Sequence, residues 1–262
     1  MPKANRKAKV IHAAVRAAYS VVAKTAGKTS AAAACCAPSC CGPESVRPSD
    51  YSRDEIAAVP PGAYLGQGSG VPVRYAGLRA GEVVVDLGSG AGMDSFLAAN
   101  EVGPTGRVHG FDMTPAMIRR ARENAQRGGY ANVTFERAQI ESLPIASAAA
   151  DAAISNCVIN LSPDKPAVFA EIFRGLKPGG RLAIADIVLR GEADSVRALR
   201  KKASAASWCA CLLGALEEKE YLATIRGAGF KDVRIVAERP AQSQPGGEVK
   251  AVAVTVTASK PA

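Results

Sequence analysis

The chain has 262 residues, 48% of them hydrophobic, enough to bury a full core without disulfide staples, and its length suits one α/β domain with appendages. Lys and Arg number 33 against 24 Asp and Glu, a net charge of +9, but with 5% aromatic residues and no recognised nucleic-acid motif a nucleic-acid partner is not expected. No run approaches the roughly 18 apolar residues of a membrane span and no secretory signal is read, so the expectation is a soluble, cytoplasmic monomer with no membrane partner.

In chain order, "MPKANRKAKVIHAAVRAAYSVVAKTAGKTSAAAACC" comes first. It is basic and Ala-rich, which suits a transit peptide, but "VIHAAVRAAYSVVAK" spaces apolar residues at helical intervals and predicts an amphipathic helix packed on the protein. Much of the excess charge lies here: Lys3, Arg6, Lys7, Lys9, Arg16, Lys24 and Lys28 meet no acidic residue before Glu44. There follows "CCAPSCCG", with Cys35, Cys36, Cys40 and Cys41. The remaining cysteines are Cys157, Cys209 and Cys211; an odd total of 7, split this way, points to reactive or metal-binding thiols rather than a disulfide framework.

From residue 80 strands and helices alternate. "EVVVDLG", "RVHGFDM", "NVTFERA", "DAAISNCVI" and "RLAIADIVL" read as strands, and "MDSFLAANEV", "TPAMIRRARENAQRGG" and "KPAVFAEIFRGLKPGG" as helices. The helix "EKEYLATIRGAGF" then leads into "DVRIVAE" and "KAVAVTVTAS", joined by the polar turn "RPAQSQPGGE". The prediction is an α/β, mostly parallel doubly wound sheet of seven strands, ended by an antiparallel hairpin.

Ligands of such sheets lie beyond the carboxyl ends of the strands. The first strand ends "VDLGSGAG", with Asp86, Gly88, Gly90 and Gly92; the spacing is G-x-G-x-G, and Met93 stands where a dinucleotide fingerprint needs glycine. Glycine lets a ligand approach the backbone with no Cβ in the way. The second strand ends in Asp112, a suitable acceptor for the two hydroxyls of a ribose. A nucleoside ligand fits this pair, although tight βα turns are often glycine-rich and any strand can end in Asp.

"VVVDLGSGAG", "GFDMT" and "LKPGGRLAIAD" resemble the class I S-adenosylmethionine-dependent methyltransferases over about residues 70 to 257. More narrowly, "DMTPAMIRRARENAQRGGYANV", "SNCVINLSPDK" and "WCACLLGALEEKEYL" resemble the arsenite methyltransferases. The resemblance implies a Rossmann-like fold divided into a basic helix and cysteine arm (1–50), a cofactor domain (51–190), and an arsenic-binding segment with the last helix and hairpin (191–262). It implies S-adenosyl-L-methionine as cofactor, with Asp86, Gly88, Ser89 and Gly90 at the methionine part, Asp112 on the ribose and Met113 over the adenine. Ile140 and Glu141 would contact the adenine, and Asn156 would border the methyl donor.

It further implies Cys157 and Cys211 as the thiolates that hold trivalent arsenic, a soft centre that suits sulfur ligands. Arsenic(III) carries a lone pair that can attack the methyl group, so no general base is needed and catalysis is largely positioning. That agrees with a chain whose only histidines, His12 and His109, are expected to be structural.

The family's third core cysteine is replaced by Ser69, a poor ligand for a soft metalloid. Cys209 or the cluster Cys35, Cys36, Cys40 and Cys41 are the candidate substitutes; for the cluster a zinc site and an inert tail also remain open. Small thiols, glutathione or thioredoxin, would deliver the arsenical and re-reduce the product. The alternatives are a methyltransferase of a small organic molecule, such as a quinone or sterol precursor, and a low-turnover metalloid-sequestering protein.

Overall fold

The computed structural model describes residues 3–25, 50–201, 212, 214–241, 245 and 247–262. The expected amphipathic helix is α1 (Lys3–Thr25), whose Ile11, Val15 and Val22 are buried. After it come a short helix α2 (Arg53–Ala57) and a single 3₁₀ turn (Pro72–Tyr75). The alternation then runs β1 (Val83–Leu87), α3 (Met93–Val102), β2 (Arg107–Asp112), α4 (Pro115–Gly128), β3 (Val133–Arg137) and β4 (Ala150–Asn156). It continues through α5 (Lys165–Gly175), β5 (Leu176–Arg190), α6 (Ala193–Lys201), α7 (Glu218–Gly227), β6 (Lys231–Pro240) and β7 (Lys250–Ser259).

The strands form one seven-stranded sheet of order β3-β2-β1-β4-β5-β7-β6. β1 through β5 pair in parallel, while β7 runs antiparallel between β5 and β6. In β1 four consecutive residues are buried, as a strand covered on both faces requires. One face packs Phe169, Leu176, Tyr221 and Phe230 under α5 and α7. The other packs Phe96, Ile118 and Phe135 under α3, α4 and the segment around Tyr51 and Val59.

Helix α1 crosses the carboxyl end of the sheet. Ile11 and Val15 pack on Leu161 and Met113, Val22 and Ala23 pack on Met117, and Arg120 of α4 donates to the carbonyls of Ala23 and Gly62 at 2.9 and 3.1 Å.

One boundary differs from expectation. "LKPGG" does not extend α5; the helix stops at Gly175, Leu176 is extended, and Gly179 is left-handed at φ 74°. Proline and a left-handed glycine both oppose a helical continuation. The pair therefore opens β5, and pairing jumps from Ala150↔Leu176 to Ala152↔Arg181 across the bulge.

Candidate active site

The loop between β1 and α3 is pinned by the backbone N–H groups of Gly88 and Ser89, which both donate to the Phe111 carbonyl at 2.7 and 2.9 Å. Its three glycines all have positive φ but do different work. A Cβ on Gly88 would lie 2.2 Å from Val158, and one on Gly92 would strike the rings of Phe96 and Phe135, so these two admit protein side chains. A Cβ on Gly90 would meet nothing within 4 Å, so the space beside its Cα is open, while its N–H is engaged with Asp112.

Beyond this loop opens a cavity whose wall includes Gly88, Asp112, Met113, Ile140 and Glu141. Helix α1 supplies the opposite wall with His12, Val15 and Tyr19. This half is knit together. His12 lies 3.0 Å from Glu141 through Nε2 and 3.1 Å from the Gln139 amide through Nδ1, and Ser162 donates to Glu141 at 2.5 Å. Burial would raise the Glu141 carboxyl, but the bonds from His12 and Ser162 hold it below its usual range. Asp112 accepts from the backbone N–H groups of Thr114 and Gly90 at 2.7 and 3.1 Å, yet burial still pushes it up.

On the other side of Gly88 the residues at the ends of β1 and β4 meet the 50–70 segment. Asn156 is a bracket: its Nδ2 donates to the Gly70 carbonyl at 2.8 Å, the Tyr51 hydroxyl at 2.9 Å and Asp94 at 3.1 Å, while its Oδ1 accepts the Ser69 N–H at 2.9 Å. Cys157 follows at φ 59°, a left-handed conformation uncommon for a residue with a Cβ, fixed by its N–H on the Ala185 carbonyl. The Ser69 hydroxyl donates to Cys157 Sγ at 3.0 Å. Ser69 therefore directly abuts the Cys157 thiol.

Asp86 and Asp94 are buried below this network. Burial, then the charge of Asp94, raises the Asp86 carboxyl despite a 2.5 Å bond from Ser95; burial also raises Asp94. Two buried oxygens here, Ser89 Oγ and Asp94 Oδ1, have no hydrogen-bond partner. Buried polar atoms are almost always satisfied, so such orphans mark a place for a polar ligand. A ligand with a ribose, a base and a charged amino-acid tail matches the donor set: the half-buried Asp112 carboxylate at the second strand end, open space beside the Cα of Gly90, a cavity walled by Met113 and Ile140, and unpartnered oxygens on Ser89 and Asp94.

Asp86, Gly88, Ser89, Gly90, Asp112, Met113, Ile140, Glu141, Asn156 and Cys157 thus cluster at the carboxyl edge of the sheet. Asn156 is there as a bracket, its polar atoms engaged with protein. His109, on β2, bonds Thr134 at 2.8 Å in line with a structural role, whereas His12 stands in the cavity wall. Cys35, Cys36, Cys40, Cys41, Cys209 and Cys211 lie outside the described residues. Tyr51 and Asp94 are not among the residues that the sequence singles out. Asp94 had a signal, an acid in the first helical turn just after the glycine loop; Tyr51 had none.

The chain matches the methyltransferase domain family model over residues 78–229. It is 45% identical to an arsenite methyltransferase of Halobacterium salinarum over 71% of this chain and 46% of the relative, and 34% identical to an arsenite methyltransferase of Mus musculus over 89% and 61%. The chain spans about half the length of the curated relatives it matches. Among solved structures it is similar to an arsenic (III) S-adenosylmethionine methyltransferase from Chlamydomonas reinhardtii, with a TM-score of 0.67 and 33% identity over 80% of this chain and 73% of that one.

Proposed function

The chain belongs to the methyltransferase domain family, and from that premise we propose that it moves methyl groups from S-adenosyl-L-methionine to trivalent arsenic held on thiolates. The relatives named as arsenite methyltransferases support the substrate class. The single observation that carries it in this chain is Cys157: a thiol in a strained left-handed turn at the end of β4, 3.0 Å from the residue that replaces a family cysteine.

The cofactor supplies an activated methyl group on a sulfonium centre. The residues of this chain divide the remaining tasks. Asp112 would accept the ribose hydroxyls, the apolar wall of Met113, Ile140 and Val15 would enclose the base, and Asp86, Ser89 and the backbone at Gly90 would hold the methionyl tail. Cys157 and Cys211 would hold arsenic, with Cys209 or the cluster at Cys35, Cys36, Cys40 and Cys41 as further thiols. Because the arsenic lone pair is the nucleophile, no side chain has to remove a proton. The left-handed turn at Cys157 aims the thiol, and orientation of this kind can supply a large share of a rate enhancement.

Glutathione or thioredoxin would deliver the arsenical and keep the thiols reduced, which places the reaction in a reducing compartment such as the cytoplasm. Among the described residues no helix is long and apolar enough to cross a membrane.

Product speciation tests this reading. Purified protein with S-adenosylmethionine, glutathione and either inorganic or monomethylated trivalent arsenic should yield methylated products, lost in Cys157→Ser and in Cys211→Ser. No product from either arsenical, with cofactor still bound, would point to an organic acceptor or to metalloid sequestration.

Ser69 sharpens the substrate. Its hydroxyl occupies a place from which a sulfur could join Cys157 on arsenic, so Ser69→Cys should speed methylation of inorganic arsenite more than of the monomethylated form. Equal effects on both would remove the missing thiol as the determinant.

A further inference from the structure

Within β5 the run "RLAIADIVLR" holds one charged residue between its two arginines, Asp186. Its side chain is fully buried. A carboxylate at such a place costs the fold more than an apolar side chain would. Four donors converge on it: the Asn160 Nδ2 at 2.7 Å and the Ile187 N–H at 2.9 Å on Oδ1, the Asn160 N–H at 3.1 Å and the Tyr221 hydroxyl at 3.4 Å on Oδ2. Burial pushes the carboxyl up to about 7, against the opposing pull of these donors and of the Lys165 charge.

Asn160 supplies two of the four donors, one from its side chain and one from its backbone. Its Nδ2 also donates to the Ile187 carbonyl at 2.6 Å, so both groups facing that nitrogen are acceptors and the amide cannot be turned over. The Asn160 Oδ1 is left buried with no partner. This orphan has a local cause: the amide is held in the one orientation that serves Asp186 and Ile187.

Asn160 lies in a short 3₁₀ turn (Ile159–Leu161), three residues after Cys157. The near end of the same stretch is held by the Cys157 N–H, which donates to the Ala185 carbonyl at 2.8 Å. Residues 157–160 are thus gripped at both ends by Ala185, Asp186 and Ile187, three consecutive residues of β5. Between the two grips Cys157 keeps its φ of 59°, a conformation that persists in a residue with a Cβ only where the surroundings impose it. Its sulfur there meets the Ser69 hydroxyl at 3.0 Å.

We propose that Asp186, acting through Asn160, is a positioning residue for methyl transfer: it keeps the Cys157 turn left-handed and the thiol set against Ser69. The inference rests on the reading that Cys157 holds arsenic for that transfer. Tyr221, which reaches Asp186 only at 3.4 Å, has a minor part.

Peptide-resolved alkylation of Cys157 in the reduced, ligand-free full chain at pH 7 tests the clamp without arsenic. A donor to sulfur favours the reactive thiolate, so Ser69→Ala should slow alkylation about three- to tenfold. In Asn160→Ala and Asp186→Asn backgrounds Ser69→Ala should have no further effect, because the thiol no longer rests against residue 69. In Tyr221→Phe it should keep its full effect. Asn160→Ser carries the cycle if neither clamp variant folds.

Kinetics supply the second readout. Asn160→Ala should lower kcat/KM for monomethylated trivalent arsenic about ten- to a hundredfold, the scale of a misplaced reacting group, while affinity for S-adenosylhomocysteine stays within about twofold. A variant that had merely lost stability would not separate arsenical from cofactor in this way.

An undiminished effect of Ser69→Ala in the clamp variants, or no effect of it in wild type, would overturn the proposal. So would an unchanged kcat/KM in a variant whose coupling to Ser69 is lost. Absence of methylated product from wild type would overturn the arsenic reading instead, and the alkylation cycle would still decide whether Asp186 sets the thiol.

Discussion

The two halves of the cleft on either side of Gly88 are built to opposite standards. On the side walled by α1, His12, Gln139, Glu141 and Ser162 satisfy one another across the gap between α1 and the sheet, and the wall around them is largely apolar. On the side of Cys157, two carboxylates without ion pairs among the described residues, two unpartnered oxygens and a left-handed cysteine lie close together. Protein interiors rarely leave such groups unmet unless something else meets them. The polar groups of the first half satisfy one another, while the second half leaves Ser89 Oγ and Asp94 Oδ1 without a hydrogen-bond partner.

The contrast can be broken most sharply at the glycine that divides the halves. Gly88→Ala places a Cβ against Val158 at a left-handed φ of 70° and should destabilise the protein by about 2 to 4 kcal/mol. Gly90→Ala, where φ is 54° and the surroundings are open, should cost only about 1 kcal/mol, from backbone conformation alone. Denaturant unfolding of both variants without ligand measures the difference. Equal losses would mean that Val158 does not pack on the loop as described.

A smaller effect concerns pH. Asp86 and Asp94 both have folded pKa values raised above their unfolded ones, so the folded state keeps protons that the unfolded state releases. Their contribution is then most favourable in acid, below the unfolded carboxyl range, and is lost as pH rises through the raised folded values. Asp94→Asn removes one of these groups and the charge that most disturbs the other. The ligand-free variant should therefore gain on wild type by about 1 to 2 kcal/mol as pH rises from about 5 to about 8. Carboxylates held low elsewhere, such as Glu141 and Glu171, are common to both proteins and cancel in the difference. A margin that shrinks with rising pH would refute the assignment.

Smallest is the change expected on the satisfied side. Glu141→Gln keeps the shape and part of the bonding to His12 and Ser162, so affinity for S-adenosylhomocysteine should fall only about three- to tenfold. A loss of more than about a hundredfold would mean that Glu141 does more than complete the cavity wall.

Much of this architecture is legible in the sequence, for identifiable reasons. β1, β2 and β4 are short apolar runs with Asp86, Asp112 and Asn156 at or next to their ends, and in a parallel sheet strand ends are where ligands gather. "LKPGG" reads as a helix tail because it follows an apolar helical pattern; only pairing across the bulge shows that it begins β5. His12 reads as structural because its partners, Glu141 and Gln139, lie more than a hundred residues away. Tyr51 was invisible for the same reason: its role depends on the packing of the 50–70 segment against Asn156 and Asp94. Asn156 stands out in the sequence as the residue that ends β4, but its engagement with four protein partners follows from tertiary contacts that no local pattern encodes.

The central claim is that the unsatisfied half of the cleft takes trivalent arsenic on the Cys157 thiol. Arsenic X-ray absorption of the protein loaded with one equivalent of arsenite tests it most directly. Wild type should show arsenic bound to sulfur, with one sulfur neighbour fewer in Cys157→Ser. An unchanged sulfur shell in that variant would contradict the claim and move the arsenic to other thiols of the chain.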